Sequence, residues 1–229
     1  MNRKTQVILC NYTKGGVGKT TLAVHVVGVL LEETIKNILL MDCDPRADAW
    51  TFFSGSRPNS DSETLTLAND LNLRWNRPQS KGARFNPIIK QDYETYDYVV
   101  IDADAPPEDS LTILSDTLPD LFLVPIAESQ SHAIKDMSFF LEDLEREINF
   151  ENDSGIEYNP IIKIVPLGVS IEEIQDEVDI SCFSVNIQIA TPMKSLGKEI
   201  RTALKEKELV WTYSELEETK DYFINLIWD

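Results

Sequence analysis

An apolar run, Val7-Ile8-Leu9-Cys10, leads within a few residues into Lys14-Gly15-Gly16-Val17-Gly18-Lys19-Thr20-Thr21, and no other stretch of the chain restricts the fold as strongly. Three of the nine glycines fall in this short segment. A glycine takes positive φ without strain and lets backbone approach a ligand with no Cβ in the way. Such a loop, set between a strand and a helix beginning at Lys19, turns successive N–H groups inward and adds the positive end of the helix dipole. The result is a cradle for a di- or triphosphate, with Lys19 able to reach the β- and γ-phosphates and the Thr20 hydroxyl able to bind Mg²⁺. The expected architecture is therefore α/β: a doubly wound, mainly parallel sheet flanked by helices, in three layers.

Two further boxes follow apolar runs of the kind that become strands buried on both faces. The run Asn37-Ile38-Leu39-Leu40-Met41 ends in Asp42-Cys43-Asp44-Pro45-Arg46-Ala47-Asp48. The run Tyr96-Asp97-Tyr98-Val99-Val100-Ile101 ends in Asp102-Ala103-Asp104-Ala105-Pro106-Pro107. In the glycine loop itself, Thr13 stands where the general phosphate-loop pattern G-x-x-x-x-G-K-S/T has its first glycine, and a second lysine, Lys14, stands beside it.

Thr13 to Thr21 resembles the deviant Walker A box, x-K-G-G-x-G-K-T-T/S, of the ParA/MinD group of P-loop ATPases. The box at Asp42 is similar to that group's D-x-D-P-Q, and closer still to the C-D-P-K-A-D of the nitrogenase iron protein. The run ending in Asp102 is similar to its Walker B strand. The resemblance implies ATP and Mg²⁺ as cofactors, with Lys14, Gly15, Gly16, Val17, Gly18, Lys19, Thr20 and Thr21 as the nucleotide-binding segment. Lys14 matches the signature lysine, which in that family reaches across a nucleotide-sandwich homodimer to the phosphates of the other copy. A second cation at the transferring phosphoryl group offsets charge in the transition state. By the same match Asp44 positions or activates the attacking water, and Asp42 supports the Mg²⁺ shell together with Thr20. Asp102 holds a Mg²⁺-bound water if the strand sets the register, whereas Asp104 does so if the following Ala-Pro-Pro sets it. Arg46 occupies the place of the family's glutamine, and Asp48 matches an aspartate of the iron-protein version alone.

The resemblance further implies slow, partner-stimulated ATP hydrolysis, an activating adaptor of the ParB type, and a role in partition or positioning of DNA or another cargo. Alternatives are a MinD-like ATPase that works on a membrane, a metabolic ligase on the same scaffold, and a regulator that uses nucleotide only to set its oligomeric state. The guanine-specific N-K-x-D signature is absent, so adenine is the expected base. Cys10, Cys43 and Cys182 form no C-x-x-C pair, and no cysteine stands between Asp102 and Cys182. That removes both a disulfide framework and the cluster ligands that electron transfer of the iron-protein kind requires.

The 229 residues read as one domain, 1–229, with strand and helix patterns alternating to the end. Thr20 to Glu33 is the expected helix after the loop, and His25 on it reads as a packed or surface residue rather than a ligand. Residues 51–92, polar and carrying Pro58, Pro78 and Pro87, read as irregular connections with one short helix near Leu65–Leu73. Strands are expected at Asp120–Pro125 and Ile161–Val165, an amphipathic helix at Ser131–Asn149, and an edge strand where Val185, Ile187 and Ile189 alternate with polar residues. Two helices, about Lys194–Lys207 and Ser214–Trp228, close the chain. The four tryptophans, Trp50, Trp75, Trp211 and Trp228, are scattered as core or interface anchors would be.

No run of about eighteen apolar residues exists to span a bilayer. Met1-Asn2-Arg3-Lys4 enters the first strand at once, leaving no room for a secretory leader, so the chain is expected to be cytoplasmic, and nucleoid-associated where DNA is bound. Net charge is −18, from 39 acidic and 21 basic residues. Sequence-independent DNA binding needs a basic surface. One candidate is the row Lys194, Lys198, Arg201 and Lys205, spaced to share one helix face. The C-terminal apolar stripe carries four acids and a single lysine between Ser214 and Trp228. Anionic lipid would repel it, and the stripe is expected to pack on the protein's own sheet.

Overall fold

A computed structural model describes residues 4–61, 63–68, 70–76 and 86–229. Met1-Asn2-Arg3, whose sequence suggested immediate entry into a strand, and the segment 77–85 within the expected irregular region lie outside the described residues.

In chain order the elements are β1 (Gln6–Asn11), α1 (Lys19–Glu33), β2 (Ile38–Asp42), α2 (Asp48–Ser54), β3 (Thr64–Thr66), β4 (Leu71–Trp75) and β5 (Tyr98–Ala103). Then follow α3 (Pro107–Thr117), β6 (Leu121–Ala127), α4 (Met137–Asp153), β7 (Ile161–Leu167), α5 (Ile171–Gln175), β8 (Ile187–Ile189), α6 (Gly197–Glu206) and α7 (Thr219–Trp228). One eight-stranded sheet runs β3-β4-β2-β5-β1-β6-β7-β8. Every pairing is parallel except that of β3 with β4. This is the doubly wound P-loop architecture expected from the sequence.

The central strands are apolar throughout because both faces are covered. On β1, Val7 and Leu9 pack on one side with α3 and α4, while Ile8 and Cys10 pack on the other with α1, α2, α6 and α7. Alternation of strand side chains thus feeds two cores from one run. The chain winds outward from β1 through β2 and β4, returns to β5, and then continues on the far side of β1 through β6. Strand order reverses at β1, and in such sheets ligands sit at the carboxyl ends of the strands flanking the reversal.

Helix α1 is buried on every side from Thr21 to Leu30. Sequence periodicity marks only one inward stripe, and the difference is tertiary: α7 and the turn Val210–Thr212 cover the outer face. There His25 stacks on Phe223 with ring centroids 4.7 Å apart, its Nδ1 hydrogen-bonds the Thr21 carbonyl, and its Nε2 accepts from the Val210 N–H. The C-terminal stripe packs within the molecule, against α1, and its last turn reaches the sheet at β7, where Lys163 Nζ donates to the Leu226 carbonyl.

The helix expected near Leu65–Leu73 is a hairpin instead. Thr64–Thr66 and Leu71–Trp75 pair antiparallel, Leu65 opposite Leu73, and Leu71–Trp75 also extends the parallel sheet beside Ile38–Asp42. Leu65, Leu67, Leu71, Leu73 and Trp75 recur with period two, which is the strand signal, and Asp70 with φ 59° turns the chain between the two runs. The expected helix Ser131–Asn149 divides into a 3₁₀ stretch, Glu128–Asp136, and α4. Helix α6 starts at Gly197, so Lys194 precedes it and pairs with Glu218 at 2.6 Å. The helical face therefore carries Lys198, Arg201 and Lys205 without Lys194. Among the described residues no helix is long and apolar enough to cross a membrane.

Candidate functional site

The three boxes meet at the carboxyl ends of β1, β5 and β2. Cys10, Asp102 and Asp42 lie in register across these neighbouring strands. Beyond Cys10 the chain forms the glycine loop. Gly16 and Gly18 take φ of 75° and 111°, and a Cβ built on Gly18 would stand 2.5 Å from a Leu167 methyl, so a side chain there would need both a strained backbone and a shift of Leu167. Val17 points into the core, while Lys19, Thr20 and Thr21 form the first turn of α1.

Each cation of the loop has a partner. Lys19 Nζ donates to the Lys14 carbonyl at 2.6 Å and pairs with Asp104 at 2.8 Å. Lys14 lies at the rim, with about two-fifths of its side chain exposed, and its Nζ pairs with Asp136 at 2.6 Å. Asp104 lies just past the end of β5, and the strand itself carries Asp102 inward.

The carboxylates divide by their partners. Asp42 accepts from the Asp44 N–H at 2.9 Å through one oxygen and from the Trp50 N–H at 2.8 Å through the other. It thereby fastens the loop between β2 and α2. Burial, against those two hydrogen bonds, pushes its carboxyl upward. Asp44 is buried, accepts from the Arg46 N–H at 2.7 Å, and pairs with the Arg46 guanidinium at 3.0 Å. Its carbonyl accepts from the Trp75 indole N–H at 3.0 Å. Asp102 is as buried as both but differs in its partners, because neither of its oxygens has one in hydrogen-bonding geometry. Burial first, and the neighbouring Asp42 second, hold its carboxyl well above the usual range; the nearby Thr20 side chain opposes this without meeting it in hydrogen-bonding geometry.

Gly16, Gly18, Lys19, Thr20, Asp44 and Asp104 help line a cavity of about 480 Å³. The glycine loop forms one wall and Asp44, Arg46 and Asp48 another, while Thr51 and Phe52 of α2 and the end of α6, at Lys205 and Lys207, close it. A volume of this size suits a nucleotide. Lys205 opens onto this cavity, whereas Lys198 and Arg201 do not line it.

Residues 8–204 match the family described as the CobQ/CobB/MinD/ParA nucleotide-binding domain. The chain belongs to this family. A sequence comparison with curated proteins finds no match. Solved structures share the fold. An McdA variant from Cyanothece in complex with ATP superposes with a TM-score of 0.66 at 17% identity, covering 97% of this chain and 95% of the other. The septum site-determining protein MinD from Pyrococcus horikoshii, complexed with Mg-ADP, gives 0.65 at 16% identity over 97% and 94%. A ParA family ATPase from Chlorobium tepidum gives 0.66 at 16% identity over 96% and 98%.

The residues present fit a Mg-nucleotide. A phosphate cradle that a Cβ would fill lines the cavity, and a buried carboxylate with both oxygens unpartnered, Asp102, lies beside Thr20. Among the described residues no cluster of three or more His, Cys, Asp or Glu side chains makes a self-sufficient metal site. Two residues of the site carry no sequence signal. Asp136 reaches Lys14 only through the tertiary fold, and Lys207, whose Nζ bonds the Gly55 carbonyl at 2.6 Å, reaches the cavity only because α6 crosses toward α2.

Proposed function

We propose that the chain is a Mg-ATP-dependent ATPase of the ParA type that switches between monomer and nucleotide-sandwich homodimer. The observation that carries this is the buried, unpartnered Asp102 carboxylate beside Thr20 at the phosphate cradle. Such a group destabilises the nucleotide-free chain and is kept where a bound cation satisfies it. When bound, Mg²⁺ would offset the phosphate charge, with Thr20 and Asp102 holding it and Asp42 fixing the loop behind them.

Glycine-loop N–H groups and Lys19 bind and orient the polyphosphate. Asp44 orients the water that receives the γ-phosphoryl group, while the β–γ bridging oxygen leaves on ADP. Lys14 sits at the open rim of the loop, where a second copy can approach, and exchanges Asp136 for that copy's phosphates. The contacts made only in the ATP dimer then set the switch. An adaptor of the ParB type would stimulate hydrolysis, and Lys198, Arg201 and Lys205 would hold nonspecific DNA as the track. The chain's acidic C-terminal helix, packed on α1, does not favour a membrane as that track.

The test is ATP hydrolysis, light scattering and fluorescence anisotropy with a generic DNA duplex, in ATP and in ADP, for the wild type and Lys14→Ala. ATP-dependent dimers and DNA binding, both lost in the variant, are the expected result. Dimers without DNA binding would leave the ATPase standing and remove DNA from the reading. No ATP binding at all would remove the whole of it.

A further inference from the structure

Three cations at the candidate nucleotide site are each paired with a carboxylate: Lys19 with Asp104, Lys14 at the rim with Asp136, and Arg46 with Asp44 and Asp48. The first two have a destination when a triphosphate enters. Arg46 has none assigned, although it lines the same cavity. Its Nη2 lies 3.0 Å from Asp44 Oδ2, its Nε 3.4 Å from both Asp44 oxygens, and its Nε 3.5 Å from Asp48. Asp44 is buried and fixed, being 2% exposed, whereas the Arg46 side chain is 64% exposed and free to swing.

We propose that Arg46 is an exchange cation: parked on Asp44 and Asp48 when the cavity holds no triphosphate, it transfers to the γ-phosphate end of a bound nucleoside triphosphate and so releases the Asp44 carboxylate. This rests on the ATP reading above. A triphosphate brings several negative charges into a cavity already holding Asp44, Asp48 and Asp104. Planar guanidinium groups bind phosphate oxygens in two-pronged fashion as readily as carboxylates. Each Asp44 oxygen already accepts two contacts from Arg46, Oδ1 from the backbone N–H and Nε and Oδ2 from Nε and Nη2, which occupies its acceptor sites, so the transfer both neutralises the phosphate and frees the positioning group. Glutamine, the family's residue here, carries no charge and can do only part of this.

The experiment measures equilibrium binding of ATP and of ADP, with Mg²⁺, to the wild type, Arg46→Gln, Arg46→Lys, Asp48→Asn and the Arg46→Gln/Asp48→Asn double variant, with thermal melting as a folding control. Arg46→Gln is expected to weaken ATP binding roughly tenfold and leave ADP within about twofold, the loss of one charge-assisted contact to the terminal phosphate. Arg46→Lys should recover part of the loss. Asp48→Asn removes a parking partner and should tighten ATP, with the gain vanishing in the double variant. Equal losses for ATP and ADP, no loss, or an Asp48→Asn gain that persists without Arg46 would each overturn the exchange and leave the pair a structural brace. A wild type that binds neither nucleotide would sink the ATP reading itself, an outcome distinct from these.

Discussion

The Asp102 carboxylate is buried with both oxygens unpartnered, its charge opposed by desolvation and by Asp42. Keeping such a group costs the nucleotide-free chain on the order of 1–3 kcal/mol. Asp102→Asn should therefore raise the melting temperature without nucleotide while abolishing the gain in ATP affinity that Mg²⁺ gives the wild type. A variant that melts lower and still responds to Mg²⁺ would place the cation elsewhere. His25 makes the opposite case, a fully satisfied buried group. Burial lowers its pKa from 6.5 to about 4, so it stays neutral between Thr21 and Val210. The unfolded chain binds its proton first, so the stability it lends is complete above about pH 6.5 and lost as pH falls toward 4, by an amount on the order of 3 kcal/mol. The melting-temperature gap between wild type and His25→Gln should narrow steadily over that range. A gap that does not change with pH would mean that the imidazole is not held neutral.

At the scale of elements, one place sensitive to added volume is where α1 meets the turn at Val210–Thr212. A Cβ on Gly28 would lie 2.6 Å from a Leu209 methyl and 3.1 Å from the Trp211 ring. Gly28→Val should cost about 2–3 kcal/mol despite lying in a helix interior, where leaving glycine is usually favourable. A shift of the urea midpoint checks this, and an unchanged midpoint would show that Leu209 moves aside freely. None of this contact is visible in sequence, since residues 28 and 209 meet only in the fold. The phosphate-side elements were legible because their chemistry is local: glycines at fixed spacing, apolar runs ending in acids. The hairpin at Thr64–Thr66 and Leu71–Trp75 differs from the expected helix because polar composition masks the period-two leucine pattern of the segment. The basic row lost Lys194 because the helix starts three residues later than spacing alone suggested. The different places of Asp102 and Asp104 depend on where the strand ends, which spacing alone does not give. Only the sheet register shows Asp102 turned inward beside Asp42 and Asp104 left for Lys19.

For the whole molecule, net charge decides how the two proposed associations respond to salt. Two copies at −18 repel each other, and screening weakens that repulsion as the Debye length shortens from about 14 Å near 50 mM salt to about 8 Å near 150 mM. ATP-dependent dimerisation, followed by light scattering, should therefore strengthen with added salt over this interval. DNA binding should weaken, because each lysine or arginine on a phosphate displaces condensed counterions. Three contacts per copy, from Lys198, Arg201 and Lys205, give a slope of about −2.7 in log K against log salt per copy, and Arg201→Ala should flatten it by about 0.9. These opposite trends separate the two events in one titration. Dimers that instead dissociate over the same range would mean that the exposed contacts of Lys14 with phosphate, not the repulsion of the acidic surfaces, set the monomer–dimer balance. The switch would then be controlled at the rim of the glycine loop rather than by the charge of the chain as a whole.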